Sequence, residues 1–371
     1  MKTTTFLQAA GVCLFGAASA STNATLDALV SESTSNLQSI LEDRVQNASA
    51  TCTSKNVQVR KEWSALASDE KLDYIDAVKC LLNTKQITPA SAAPAVHNRF
   101  DDFAALHVNR TSVIHWTSYF FTWHRYYTWL YEQALRDECG YNGTQPYWDW
   151  SSTDTVTAHP LFDGSELSMG GNGVQTDHVA TVYLPTPNVT SSILVSGTGG
   201  GCVTTGPFVN LTVSLGPHGA PMNDNGMVGN DRCLTRDFRD RYLQSTLSYD
   251  NVTTAMVQDD IVGHSYVVES QGLHDAGHQV IGGLQDDLWA SPQDPYFFFH
   301  HAQIDRIWSL WQGLNQTVRT KEVTDTLTIH NLIPSANGTL DTPVDMGFLA
   351  DARTIGDLSS SIDGPFCYIY A

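Results

Sequence analysis

The sequence predicts a mainly α-helical protein, and three observations carry that prediction. Apolar residues recur at helical spacing over several long stretches, and two of the chemically interesting histidines stand one helical turn apart. What β character there is falls in short runs within a single polar, Gly-rich stretch. Residues 25–46 and 68–83 read as amphipathic helices, and Ser68-Asp69-Glu70 looks like a cap followed by an acidic first turn. Pro89 to Pro94 reads as a loop. From Asn98 to Arg136 the pattern is helical, with an interruption expected near Asn109-Arg110-Thr111. Residues 151–235 are dominated by Gly, Ser, Thr, Pro and Asn, with β-like runs at Thr181-Val182-Tyr183-Leu184 and from Val209 to Val213. That stretch reads as an excursion between two helical halves rather than a second domain. Helix is expected again at Arg236–Ser245 and His301–Trp311, and an irregular tail after Gly338 should pack back on the body. With no internal repeat, one catalytic domain over 21–371 is the simplest organisation.

At 371 residues, with 42% hydrophobic and 10% aromatic side chains, the chain can bury a sizeable core, which excludes disorder and collagen-like repeats. A net charge of −19 repels phosphate, so neither nucleic acid nor an anionic membrane is an expected partner. Only 16% of residues are charged, against about 25% in ordinary soluble proteins, so something else must keep the surface wet. Lys2, an apolar run from Phe6 to Ala18 and the small-residue site Ala18-Ser19-Ala20 form a secretory signal peptide over 1–20, too short to span a bilayer. Nine Asn-x-Ser/Thr sequons follow, at Asn23, Asn47, Asn109, Asn142, Asn188, Asn210, Asn251, Asn315 and Asn337. N-glycans then take the place of charge, and the expected location is extracellular. Cys13 leaves with the leader, and six cysteines remain for an oxidising compartment. Six cysteines allow fifteen pairings that sequence does not resolve. The preferred set is Cys52–Cys367 across the chain ends, Cys80–Cys139 around the first histidine cluster and Cys202–Cys233 around a Gly-rich loop.

Histidines concentrate in two clusters. The first contains His107, His115 and His124; the second contains His274 and His278, then the pair His300-His301. His274 and His278 leave one helix face together and can meet one metal, with a third nitrogen from the later helix carrying His301. Imidazole suits copper, zinc, iron and nickel, so ligand type alone leaves the metal open.

Two ungapped motifs narrow the choice. The run His115-(x)4-Phe120-Phe121-Thr122-Trp123-His124-Arg125, continued by Thr128 and Glu132, resembles the first copper signature of the tyrosinase and catechol oxidase family. Asp294-Pro295-Tyr296-Phe297-Phe298-(x)2-His301-(x)3-Asp305 resembles the second. The resemblance spans roughly residues 97–312 and is closest to the short secreted fungal members of this type 3 copper family. It implies a helix-bundle dicopper core with long irregular loops and a few short β-strands. It also implies two copper ions: CuA on His107, His115 and His124, and CuB on His274, His278 and His301. His97 rivals His107, but the family's spacing from Asp101-Asp102-Phe103 favours the latter. His300 rivals His301, but neighbours on a helix point about 100° apart, so one of the two should face the metal.

The implied reaction uses O2 to oxidise o-diphenols to o-quinones, with water as the other product. Whether monophenols are hydroxylated, or o-aminophenols oxidised, stays open. Hydroxylation needs a proton acceptor, for which Asp275 and Glu269 are the candidates; many tyrosinases carry Asn where Asp275 stands. Asp305 is expected either to orient a ligand or to pair with Arg125 or Arg306. Trp116, Trp123, Phe297 and Phe298 could wall the site, although most are expected to be plain core, and Leu288 is the candidate gate. The family's thioether cysteine is replaced by Val113, and the chain ends too soon after the second signature for the lid domain of longer relatives, which implies an open site. Two other readings compete. A hemocyanin-like oxygen carrier would share all six ligands, and a zinc hydrolase would share the His-x3-His but need Glu where Asp275 stands. A nucleotide site is weaker, because Gly197-Thr198-Gly199-Gly200-Gly201 lacks both the completing glycine and a Lys-Ser/Thr.

Overall fold

The computed structural model describes residues 25–183, 191–217 and 226–371. The expected leader, the sequons at Asn23 and Asn188, and Leu184 of the first β-like run lie outside the described residues. Helix α1 spans Leu26–Arg44 and begins where the Thr25 hydroxyl accepts the Ala28 N–H (3.2 Å). Helix α2 spans Ser68–Asn83; Ser68 is its first helical residue rather than its cap, and the Glu70 carboxylate instead accepts the Ala67 N–H (2.8 Å).

Helix α3 (Arg99–Ile114) runs straight through the expected interruption at Asn109-Arg110-Thr111. Thr111 tolerates the helix because its hydroxyl donates to the His107 carbonyl one turn back (2.6 Å). The break comes later: His115 is extended, Trp116 is left-handed (φ 50°), and helix α4 starts afresh at Phe120–Cys139. Helix α4 stops at Gly140, whose φ of 73° suits glycine at a helix end.

The stretch after α4 is irregular as expected, with short antiparallel pairs such as Ala180–Tyr183 with Ser191–Leu194 and Thr212–Val213 with Arg232–Cys233. The helix expected over Arg236–Ser245 shrinks to one turn, α5 (Arg241–Gln244). The residues before it are extended because their charges are needed inside. Arg236 pairs with Asp294 (2.8 Å) and Arg239 reaches Asp237 (2.8 Å) and Asp286 (2.6 Å), while the backbone N–H groups of Asp237 and Arg239 donate to Ile281 and Val280. Short helices α6 (Tyr249–Met256) and α7 (Ile261–Ser265) follow; α7 runs into a π-helical turn, Tyr266–Ser270, and then α8 (Leu273–Gln279). Helix α9 (Tyr296–Gly313) begins five residues earlier than expected, since Asp294, held by Arg236, accepts the Tyr296 N–H (3.0 Å). Single turns α10 (Gln316–Arg319) and α11 (Ile355–Leu358) complete the helices.

Every residue of α9 is buried, and α1, α4, α6 and α8 pack around it. Its polar residues are therefore paired. Asp305 accepts from Arg125 Nε on α4 (2.5 Å), from Arg60 (3.4 Å), and from the Tyr368 and Tyr370 hydroxyls (2.6 Å each). Arg60 also holds Glu132 of α4 (2.6 Å). The irregular tail packs back as predicted, with Tyr368–Tyr370 lying parallel to Gln58–Arg60. The three disulfides are the preferred ones: Cys52–Cys367, Cys80–Cys139 and Cys202–Cys233. Among the described residues no helix is long and apolar enough to cross a membrane. Removing Asp305 would leave two buried guanidiniums without their shared acceptor. Asp305→Ala should cost about 3–5 kcal/mol of stability, the usual cost of breaking a buried pair from one side, read as a lower urea midpoint.

Candidate metal centre

His107 lies on α3, His115 just past its end and His124 on the first turns of α4. Each ring nitrogen Nδ1 meets a backbone carbonyl: His107 that of Trp289 (2.8 Å), His115 that of Thr111 (2.9 Å) and His124 that of Phe120 (2.8 Å). A carbonyl only accepts, so each Nδ1 must carry the proton. Each Nε2 is then a bare lone pair, and all three are buried without a hydrogen-bond partner. The three side chains offer nitrogens within 4.8 Å of one another.

Two rings of the second trio repeat the pattern, while His301 Nδ1 is buried without a partner. His278 Nε2 lies 3.2 Å from His274 Nε2 and 3.3 Å from His301 Nε2. His278 Nδ1 donates to Gln285 Oε1 (2.8 Å), an amide whose orientation is set because its own NH2 donates to the Ser291 carbonyl (2.9 Å). His274 Nδ1 donates to Asp275 Oδ1 (3.1 Å). Lone pairs so close repel unless a cation lies between them. Burial pushes His115 and His274 down to about 3 and lowers the other four as well, so all six imidazoles are neutral and ready to bind metal near pH 7. The trios face each other: the His124 and His301 rings stack 4.4 Å apart, and those of His115 and His274 are 5.6 Å apart.

The two rivals fare differently. His97 is 55% exposed at the surface beside Asp231, away from either trio. His300 is nearer than its helical position suggests, with a nitrogen within 4.8 Å of the second trio. Its ring is pressed on the α8 backbone: a Cβ added at Gly277 would stand 2.1 Å from His300 Cε1. Glycine at 277 is what lets α8 and α9 approach closely enough to bury both rings.

Phe297 packs against His107, His278 and His301, but Phe298 turns away to stack on Tyr127 and Tyr131. Asp305 takes the ion-pair role, through Arg125 and Arg60, while Arg306 goes to Asp149. At the mouth of the second trio stand Trp116, Val182, Asp275 and the expected gate Leu288. Glu269 is buried, and its Oε1 accepts the Trp116 N–H (2.9 Å). Burial pushes its carboxyl well above the usual range. Sequence reasoning missed Gln285 and the Trp289 carbonyl, which orient ligands across turns that carry no motif.

The chain matches the model of the common central domain of tyrosinase over residues 97–314. It belongs to the tyrosinase family. It is 42% identical to the tyrosinase-like protein orsC of Emericella nidulans over 76% of this chain and 80% of that one. It is 36% identical to Tyrosinase P of Aspergillus terreus over 84% and 91%. The N-acetyl-6-hydroxytryptophan oxidase ivoB of Emericella nidulans is also 36% identical, over 86% and 93%. A variant of the polyphenol oxidase of Thermothelomyces thermophila superposes with a TM-score of 0.86 at 37% identity, covering 92% of this chain and 97% of that one.

This tyrosinase-family protein is thus a copper oxidase, and its donors fit a copper pair: the two groups hold seven histidines and no carboxylate or thiolate. The residue following the first histidine of α8 is Asp275, where a zinc hydrolase of the His-x3-His kind carries Glu as its general base. His278→Ala should lower copper from two to one per chain by elemental analysis, whereas His300→Ala should keep both.

Proposed function

We propose that this protein is an exported type 3 copper oxidase that uses O2 to convert o-diphenols to o-quinones. In this reading His107, His115 and His124 hold CuA, and His274, His278 and His301 hold CuB. The observation that carries it is the pair of facing imidazole trios, each presenting buried Nε2 lone pairs. Copper bound there supplies the two-electron exchange between the phenol and dioxygen. The chain's own groups do the rest. The Nδ1 hydrogen bonds hold five of the six imidazoles in one tautomer and direction, His301 is fixed by packing on His124 and Phe297, and Phe297 keeps the floor between the trios dry.

Asp275 is the proposed acceptor of the phenol proton, because its side chain is 36% exposed and lines the mouth beside His278. Glu269 is the second candidate. Burial raises its affinity for a proton, which suits a group that is to receive one. The relative that oxidises N-acetyl-6-hydroxytryptophan extends the substrate class to hydroxylated indoles, which present the same phenolic edge.

Oxygen binding without turnover is favoured by one observation: the mouth leaves only about 20 Å³, room for about one water. Catechol turnover decides between the two. The protein should hold two coppers and oxidise 4-methylcatechol at many turnovers per second; copper with no turnover would establish the carrier reading. Asp275→Ala should slow monophenol oxidation about tenfold or more, as loss of a positioned base does, while sparing diphenol oxidation.

Export is supported by the apolar leader, by the three disulfides and by the position of the sequon asparagines. Asn47, Asn109, Asn142, Asn210, Asn315 and Asn337 are exposed, whereas Asn251 is half-buried and its NH2 donates to Ser245 and Thr246. In this reading residues 21–371 form one catalytic domain. The protein recovered from a culture medium should begin near Ser21 and lose mass on treatment with an N-glycosidase.

A further inference from the structure

A cavity of about 330 Å³ lies beside the metal mouth, and Trp116 is the wall the two share. A phenol seated against His278 needs more room than the mouth offers, and the open volume next to it is this cavity. Among the described residues, four non-glycine residues have positive φ: Trp116 (50°), Asp325 (65°), His330 (47°) and Asn331 (52°). All four line the cavity. Asn, Asp and His adopt that conformation readily, but a bulky Trp is an outlier.

Trp116 stays there because its backbone is tied at both ends to the cavity wall. Its N–H donates to Glu269 Oε1 (2.9 Å), its carbonyl accepts the His330 N–H (3.2 Å), and its ring stacks on His330 at 5.2 Å. The chemistry of the lining is one-sided. It carries the carboxyls of Glu269 and Asp325, the Asn331 amide, several hydroxyls and the Trp116–His330 stack, and no lysine or arginine. The Asp325 carboxyl is held by hydroxyls of Ser265 and Thr324. Such a surface receives N–H donors and positive charge, and it repels carboxylates.

We propose that this cavity takes the side chain of the phenolic substrate and that Asp325 recognises an amine or other N–H donor on it, which makes Asp325 a specificity-determining residue. The proposal deepens the oxidase reading and rests on it. The ring presents its hydroxyls to the metal pair while its substituent passes Trp116 into the cavity.

Three diphenols of similar size test it at pH 7: dopamine, 4-methylcatechol and 3,4-dihydroxyphenylpropionate. The wild-type kcat/KM should favour dopamine over the carboxylate by about fivefold, the upper end of what an exposed charge pair gives. Asp325→Asn keeps the left-handed backbone, since Asn tolerates it. It should lower kcat/KM for dopamine about fivefold through KM, raise it for the carboxylate, and leave 4-methylcatechol within about twofold. Equal changes for all three substrates, or a wild type indifferent to side-chain charge, would overturn the proposal. Failure of the two-copper protein to oxidise 4-methylcatechol sinks the oxidase reading separately. Binding read by tryptophan fluorescence then tests the cavity: dopamine should bind tighter than 4-methylcatechol in the wild type only, and equal affinities would overturn it.

Discussion

The metal centre depends on where six protons sit. A neutral imidazole has one donor and one acceptor nitrogen, so a partner that can only accept decides which is which. For His107, His115 and His124 that partner is a backbone carbonyl, a group no side-chain substitution removes. The carbonyl that orients His107 belongs to Trp289, 182 residues further on, so the first trio is completed by the second half of the chain. The converging lone pairs this produces are unfavourable without a cation. Metal binding relieves them, which couples the stability of the core to its occupancy.

The same helices that bring the trios together are registered by charge. Arg125 follows His124 directly, and Asp305 lies one turn beyond His301; the two pair in the core between α4 and α9. Arg60, Tyr368 and Tyr370 complete the cluster. The strand carrying the tyrosines is fastened next to it by Cys52–Cys367. A buried ion pair is a weak stabiliser when replaced whole, but a costly one to break from one side, and it tolerates little slippage. That intolerance is useful here, because a shift of one helix by a fraction of a turn would pull the rings of His124 and His301 apart.

Much of this was legible beforehand. Helices α1 and α2, the irregular stretch after α4 and the clustering of the histidines could be read from spacing and motif, and the disulfides match the preferred one of fifteen pairings that spacing left open. What could not be read had tertiary causes. The break between α3 and α4 falls at His115 to Tyr119 rather than at Asn109, because Thr111 finds a partner within the helix while Trp116 is clamped by Glu269 and His330. Arg236 to Arg239 is not helical despite its look, because Arg236 and Arg239 reach Asp294 and Asp286 while the backbone pairs with Ile281 and Val280.

By itself the sequence determined which residue types gather around the metals and on which helices they ride, since those follow from periodicity and local spacing. Only the tertiary structure decided which nitrogen of each ring faces the metal, why His300 can lie so near the second trio, and what lies behind Trp116. Each of those depends on a hydrogen bond or close approach between segments far apart in the chain, and no local pattern encodes such a meeting.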